Sequence, residues 1–108
     1  MEEKLLKIIN HYGVIPQLKY FQSEVFELNE AILYREHPND IARPFSDLGA
    51  GLIGEIPPEI KHIAEEIADV QVMLNQFRLY YGITDKEVKD IMIKKIERQL
   101  ERIKGEIC

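Results

Sequence analysis

Only one cysteine occurs in the 108 residues, Cys108. A single thiol excludes a disulfide within the chain and a cysteine metal cage, and it favours a reducing compartment. No apolar run is long enough for a membrane span or a signal peptide, and the opening MEEKLLKIIN starts acidic. This pattern predicts a cytoplasmic protein with no membrane partner. Positive charge is also in deficit, with a net charge of −5 and a pI near 5.2. That sign argues against a general nucleic-acid binder, so an anionic substrate would have to arrive on metal ions or on a local basic patch. Strand-like alternation is absent, which leaves an all-α chain in one domain, 1–108, with a core that stays modest unless copies associate.

Helical periodicity is abundant instead. Ile60, Ile63, Ile67, Val70, Leu74 and Phe77 recur at helical spacing and predict one amphipathic helix from Ile60 to Tyr81 with a buried stripe. An earlier stretch repeats the pattern. Leu18, Phe21, Val25, Leu28 and Ile32 fall 42 positions before Ile60, Ile63, Ile67, Val70 and Leu74, respectively. Two acid pairs obey the same offset, Glu24-x-x-Glu27 and Glu66-x-x-Asp69. At about 100° per residue, Glu66 and Asp69 stand roughly 70° and 130° from the centre of the stripe, at the edge of the core.

The remaining elements follow from punctuation. Residues Glu2 to His11 form a short helix with Leu5, Ile8 and Ile9 inward, and Gly13 serves as its left-handed C-cap. Pro16 suits the first turn of the next helix, which runs to about His37 before Pro38. Four of the five prolines and three of the six glycines fall between Pro38 and Pro58, which marks a long loop with a turn of helix near Ser46 to Leu52. Its Gly49-Ala50-Gly51-Leu52-Ile53-Gly54 matches GxGxxG by accident, because no strand precedes it. Gly82 closes the central helix, and Thr84 with Glu87 makes a capping box for a last helix carrying Val88, Ile91, Met92, Ile96, Leu100 and Ile103. On that helix Lys95, Arg98 and Arg102 share a face, where they either reach phosphates or pair with Glu97 and Glu101. Four helices in a bundle-like arrangement are expected.

Four carboxylates converging from two facing helices repel one another and need cations to stay ionised together. Oxygen donors without paired cysteine or histidine favour Mg2+ or Mn2+. Such ions bridge phosphate oxygens and acidify water, and a spare carboxylate can serve as general base. Glu59-x-x-His62 has the spacing of half a di-iron site, but His11 and His37 lack the matching glutamate, so no second half exists.

At these residues the chain resembles the MazG-like superfamily of all-α nucleoside triphosphate pyrophosphohydrolases, whose signature is an EExxE helix, a variable loop, an ExxD helix and a helix with Lys and Arg. The matching segments are Ser23-Glu24-Val25-Phe26-Glu27 and Glu66-Ile67-Ala68-Asp69, followed by Lys95-x-x-Arg98. The resemblance implies Glu24, Glu27, Glu66 and Asp69 as catalytic Mg2+ ligands (Mn2+ as a substitute), Lys95 and Arg98 as phosphate contacts, and a homodimer or homotetramer. The implied reaction converts an NTP or dNTP and water to the monophosphate and pyrophosphate, in nucleotide-pool housekeeping. Ser23 departs from the signature. It points roughly 170° from the stripe centre, so the metal cage is spared. Tyr12 and Phe21 are candidates to stack on a base, although Phe21 lies on the stripe. Two alternatives stay open: a phosphoribosyl-ATP pyrophosphohydrolase, and a non-catalytic helical oligomerisation module.

Overall fold

The computed structural model describes residues 1–36 and 58–107. The predicted loop, its GxGxxG segment, His37 and Cys108 lie outside the described residues. Four helices account for nearly all that is described: α1 (Glu2–Tyr12), α2 (Val14–Glu36), α3 (Pro58–Tyr80) and α4 (Asp85–Ile107). No strand occurs among the described residues. The chain is therefore all-α and bundle-like, as the periodicity predicts. None of the described helices is long and apolar enough to cross a membrane.

The boundaries follow the chemistry of their end residues. Gly13 has φ +91° and ψ 159°, a positive φ that side-chain-bearing residues avoid, although more extended than a left-handed helical cap. Its N–H donates to Ile9 O at 2.8 Å. Gly82 turns the chain at φ +69°. The Glu87 N–H then donates to Thr84 Oγ1 at 3.1 Å, which caps α4. Arg78 braces the same corner by donating to Ile83 O at 3.0 Å and to Glu2 Oε1 at 3.3 Å, which ties α1 to the end of α3.

α2 and α3 run antiparallel. Gln17 meets Gln76, Phe21 stands edge-on to Phe77 at 5.6 Å, and Arg35 pairs with Glu59 at 2.8 Å. α1 packs on this pair through Leu5 and Ile9. α4 touches the others sparsely. Between it and α3 lies an open groove of about 570 Å³ lined by Leu74, Phe77, Tyr81, Val88 and Met92.

The predicted stripe needs correction. Its members Leu18, Val25, Ile32, Ile60, Ile67 and Leu74 are 37–49 % exposed. The contact seam is centred one residue earlier on each helix, on Gln17, Glu24 and Ala31 against Glu59, Glu66 and Met73, all buried. These residues obey the same 42-residue offset. The apolar arc is broad enough to serve two neighbours, and within one chain only its flank towards Phe21, Leu28, Ile63 and Val70 is covered.

Candidate metal centre and adjoining chamber

The one-residue rotation of the seam carries Glu24 and Glu66 into the interior, where they are 5 % and 8 % exposed. Both sit mid-helix, where backbone hydrogen bonds are satisfied within the helix and offer a carboxylate nothing. Asp69, one turn beyond Glu66, completes a group in which one oxygen from each of Glu24, Glu66 and Asp69 lies within 4.8 Å of the others. Oε2 of Glu24 and Oε2 of Glu66 are sealed from solvent and have no hydrogen-bond partner among the described residues. Such atoms are costly to bury unless a partner neutralises them.

The electrostatics agree with the geometry. Burial pushes the Glu24 carboxyl above its ordinary range, a hydrogen bond from the Tyr20 hydroxyl opposes this, and the charges of Glu27 and Asp69 push it further up. Burial likewise raises Glu66, aided by Glu27 and Asp69 and opposed by His62, whose Nδ1 is 3.9 Å from Glu66 Oε1. Tyr20 is itself raised, first by its bond to Glu24, so it remains a proton donor. Among the described residues, no Lys or Arg is one of the groups that shift these two acids.

Of the four acids singled out by the sequence, the structure gathers three. Glu27 is exposed and outside the close group, yet its charge acts on both buried glutamates. Lys95 and Arg98 stand exposed on α4. The ion pairs of α4 are Lys86–Asp90, Lys89–Asp85 and Lys104–Glu101. Glu101 thus pairs with Lys104, and Lys95, Arg98 and Arg102 have no ion pair among the described residues. His62 lies exposed beside Glu66, and Glu59, its partner in the ExxH spacing, pairs with Arg35.

A chamber of about 560 Å³ opens beside Glu24 and Asp69, lined also by Tyr12, Gln17, Tyr20, Met73 and Gln76. Tyr12 therefore borders it, whereas Phe21 packs against Phe77. Within it Gln17 Nε2 donates to Gln76 Oε1 at 2.7 Å. The Nε2 atoms of Gln17 and Gln76 lie 4.0 and 3.7 Å from Met73 Sδ. Gln17, Tyr20 and Gln76 escaped the sequence analysis. Their signal is spacing: Gln17 precedes Glu24 by seven residues and Gln76 follows Asp69 by seven, which is two turns along one face.

The chain matches no family model, no curated protein and no solved structure. Two buried carboxylates with orphaned oxygens and a third acid beside them, with no Lys or Arg shifting the buried pair among the described residues, suit a hard divalent cation, and no cysteine thiolate is among the described residues to favour zinc.

Proposed function

We propose that the protein is a Mg2+-dependent nucleoside triphosphate pyrophosphohydrolase that converts an NTP or dNTP and water to the monophosphate and pyrophosphate. The observation that carries this reading is the meeting of Glu24 and Glu66 from α2 and α3, each with one sealed, unpartnered oxygen, in a group where one oxygen from each of them and from Asp69 lies within 4.8 Å of the others. Glu24, Glu66 and Asp69 would hold the ion, and Glu27, exposed at the edge, would be the fourth ligand or the general base. Mg2+ bound there supplies the positive charge that polyphosphate oxygens require, and it acidifies water. Tyr20 keeps its proton and steadies Glu24. Lys95 and Arg98, free of ion pairs among the described residues, are available to polyphosphate oxygens. A homodimer or homotetramer accompanies this function, because the exposed rows on α2, α3 and α4 need cover. Cytoplasmic nucleotide-pool housekeeping is the setting that fits it.

The test is pyrophosphate release from a panel of NTPs, dNTPs and phosphoribosyl-ATP with Mg2+, with EDTA and the Glu66→Gln protein as controls. Metal-dependent release that vanishes in the variant supports the assignment. Folded protein that releases none from any substrate sinks it and leaves a helical association module.

A further inference from the structure

The two buried glutamates are met by different chemistry from their own helices. Tyr20 stands one turn before Glu24 on α2, and His62 stands one turn before Glu66 on α3, positions that again lie 42 residues apart. The Tyr20 hydroxyl gives Glu24 a hydrogen bond and keeps its proton. A neutral imidazole has a nitrogen lone pair to offer instead. His62 thus brings nitrogen to the edge of a group otherwise made of carboxylate oxygen.

Its distance suits a shared ion better than a direct bond. His62 Nδ1 lies 3.9 Å from Glu66 Oε1, too far for a hydrogen bond. Donors about 2.1 Å from one divalent ion lie about 3.0 Å apart at a right angle and about 4.2 Å apart when opposed. The gap between His62 and Glu66 falls inside that range. Side chains four positions apart on one helix can hold a common ion, as the two histidines of HExxH do. The acid group has nearly the same scale, with its three oxygens at most 4.8 Å apart and Asp69, its exposed member, free to close the remainder. Glu66 therefore carries a sealed Oε2 with no partner among the described residues and an Oε1 that faces an imidazole. His62 itself is 56 % exposed, so its ring can turn towards an ion without disturbing the core.

We propose that His62 is a further ligand of the cation held by Glu24, Glu66 and Asp69, and that its nitrogen makes the site prefer Mn2+, a first-row transition ion suited to a carboxylate-rich set, over Mg2+. This rests on the pyrophosphohydrolase reading only in taking the three acids as the metal ligands. Mg2+ takes oxygen donors and gives up water reluctantly, so it keeps a water where Mn2+ accepts the imidazole.

Titration of the full chain with Mn2+ and with Mg2+, in the absence of nucleotide, tests this together with pulsed electron paramagnetic resonance of the bound Mn2+, which detects a coordinated nitrogen. The native protein should show that nitrogen and bind Mn2+ at least about tenfold more tightly than Mg2+. His62→Ala, an exposed substitution, should abolish the nitrogen signal and weaken Mn2+ by at least about tenfold, while Mg2+ affinity changes by about threefold or less. His11→Ala should change neither. Glu24→Leu, which fills its buried position on the opposite helix, should remove tight binding and the nitrogen signal together. Native protein without a coordinated nitrogen overturns the assignment, as does a His62→Ala protein that keeps the signal or the full preference. A Glu24→Leu protein that keeps both places the ion outside the acid group and overturns it as well. Pyrophosphate release measured alongside separates the two ideas. A nitrogen signal that depends on His62 without release from any nucleotide keeps the ligand and removes the hydrolase, whereas release without that signal does the reverse.

Discussion

The α2–α3 seam and helix α4 invert each other. In the seam, polar side chains are buried: Gln17, Glu24, Glu59, Glu66 and Gln76 are all under 9 % exposed. On α4, apolar side chains are bare, and Ile91, Met92, Ile93, Ile96, Leu100 and Ile103 are 46–54 % exposed. Both are expensive arrangements for a lone chain, and each points to a different absent component. Sealed carboxylates ask for a cation, and a helix with an uncovered apolar row asks for another surface. In the function proposed above, the seam carries chemistry and α4 carries association.

The seam is tested hardest by removing one of its charges. Glu66→Gln should lower metal-dependent turnover by at least about a hundredfold, the scale of losing a positioned acid–base or ligand group. The same change should raise the melting temperature of the metal-free protein at neutral pH, since it removes a charge that burial and the neighbouring acids Glu27 and Asp69 disfavour. Turnover and melting temperature measured on one preparation check both halves. Retained turnover would mean that the buried acids are structural.

Next in size is the quaternary effect of α4. Ile96→Glu with Leu100→Glu places two charges on the apolar row, and sedimentation equilibrium should show an oligomer of the 12.6 kDa chain falling to single copies. Native protein that is already monomeric would erase the contrast and assign the bare row to a different partner.

How much of this contrast the sequence discloses depends on scale. Helix number, the Thr84 cap, the positive-φ glycines at positions 13 and 82, and the 42-residue match between acid pairs are local or periodic, and the sequence displays them. Which part of a wide apolar arc meets its own chain is not a periodic property. Leu18, Val25 and Ile32 satisfy the helical pattern as well as any core residue, yet they face away from the seam. The rotation that exposes them is the one that buries Glu24 and Glu66. Gln17 and Gln76 were illegible for a related reason. A glutamine on a helix reads as surface until its partner 59 positions away is seen to meet it at 2.7 Å. Arg35 and Glu59 hid in the same way, because a contact between helices leaves no local mark.

A smaller effect comes from protons. The folded state raises Glu24 and Glu66 above the ordinary carboxylate range, so it binds more protons than the unfolded chain as these groups titrate. Their contribution to stability in metal-free protein is therefore full below the ordinary value of 4.5 and is lost as pH rises through the raised values. Asp85 runs the other way. Its bond to Lys89 lowers it, so its contribution is present above 3.8 and is lost as pH falls through the lowered value. Melting curves from pH 4 to 8 should accordingly show Mg2+ stabilising the protein more at the alkaline end, because the ion replaces protons on the buried pair. Asp85→Asn, on an exposed helix end, should leave that metal-dependent gain unchanged. A gain independent of pH would mean that the ion binds elsewhere.

The smallest change discriminates between the two regions most finely. Thr84→Ala removes the oxygen that accepts the Glu87 N–H at 3.1 Å, a cap worth about 1 kcal/mol. In a single copy α4 is loosely joined to the bundle, so the loss should stay local. Amide exchange should accelerate in the first turn of α4 and stay unchanged in α2 and α3. In an assembled oligomer the uncovered row of α4 is packed, and the same substitution should lower the cooperative melting temperature of the whole molecule by a few degrees. Measured at two protein concentrations, above and below dissociation, Thr84→Ala should move from the first behaviour to the second. If the effect is global even in the dissociated chain, α4 is coupled to the seam without a partner, and the division between a chemical region and an associative one does not hold.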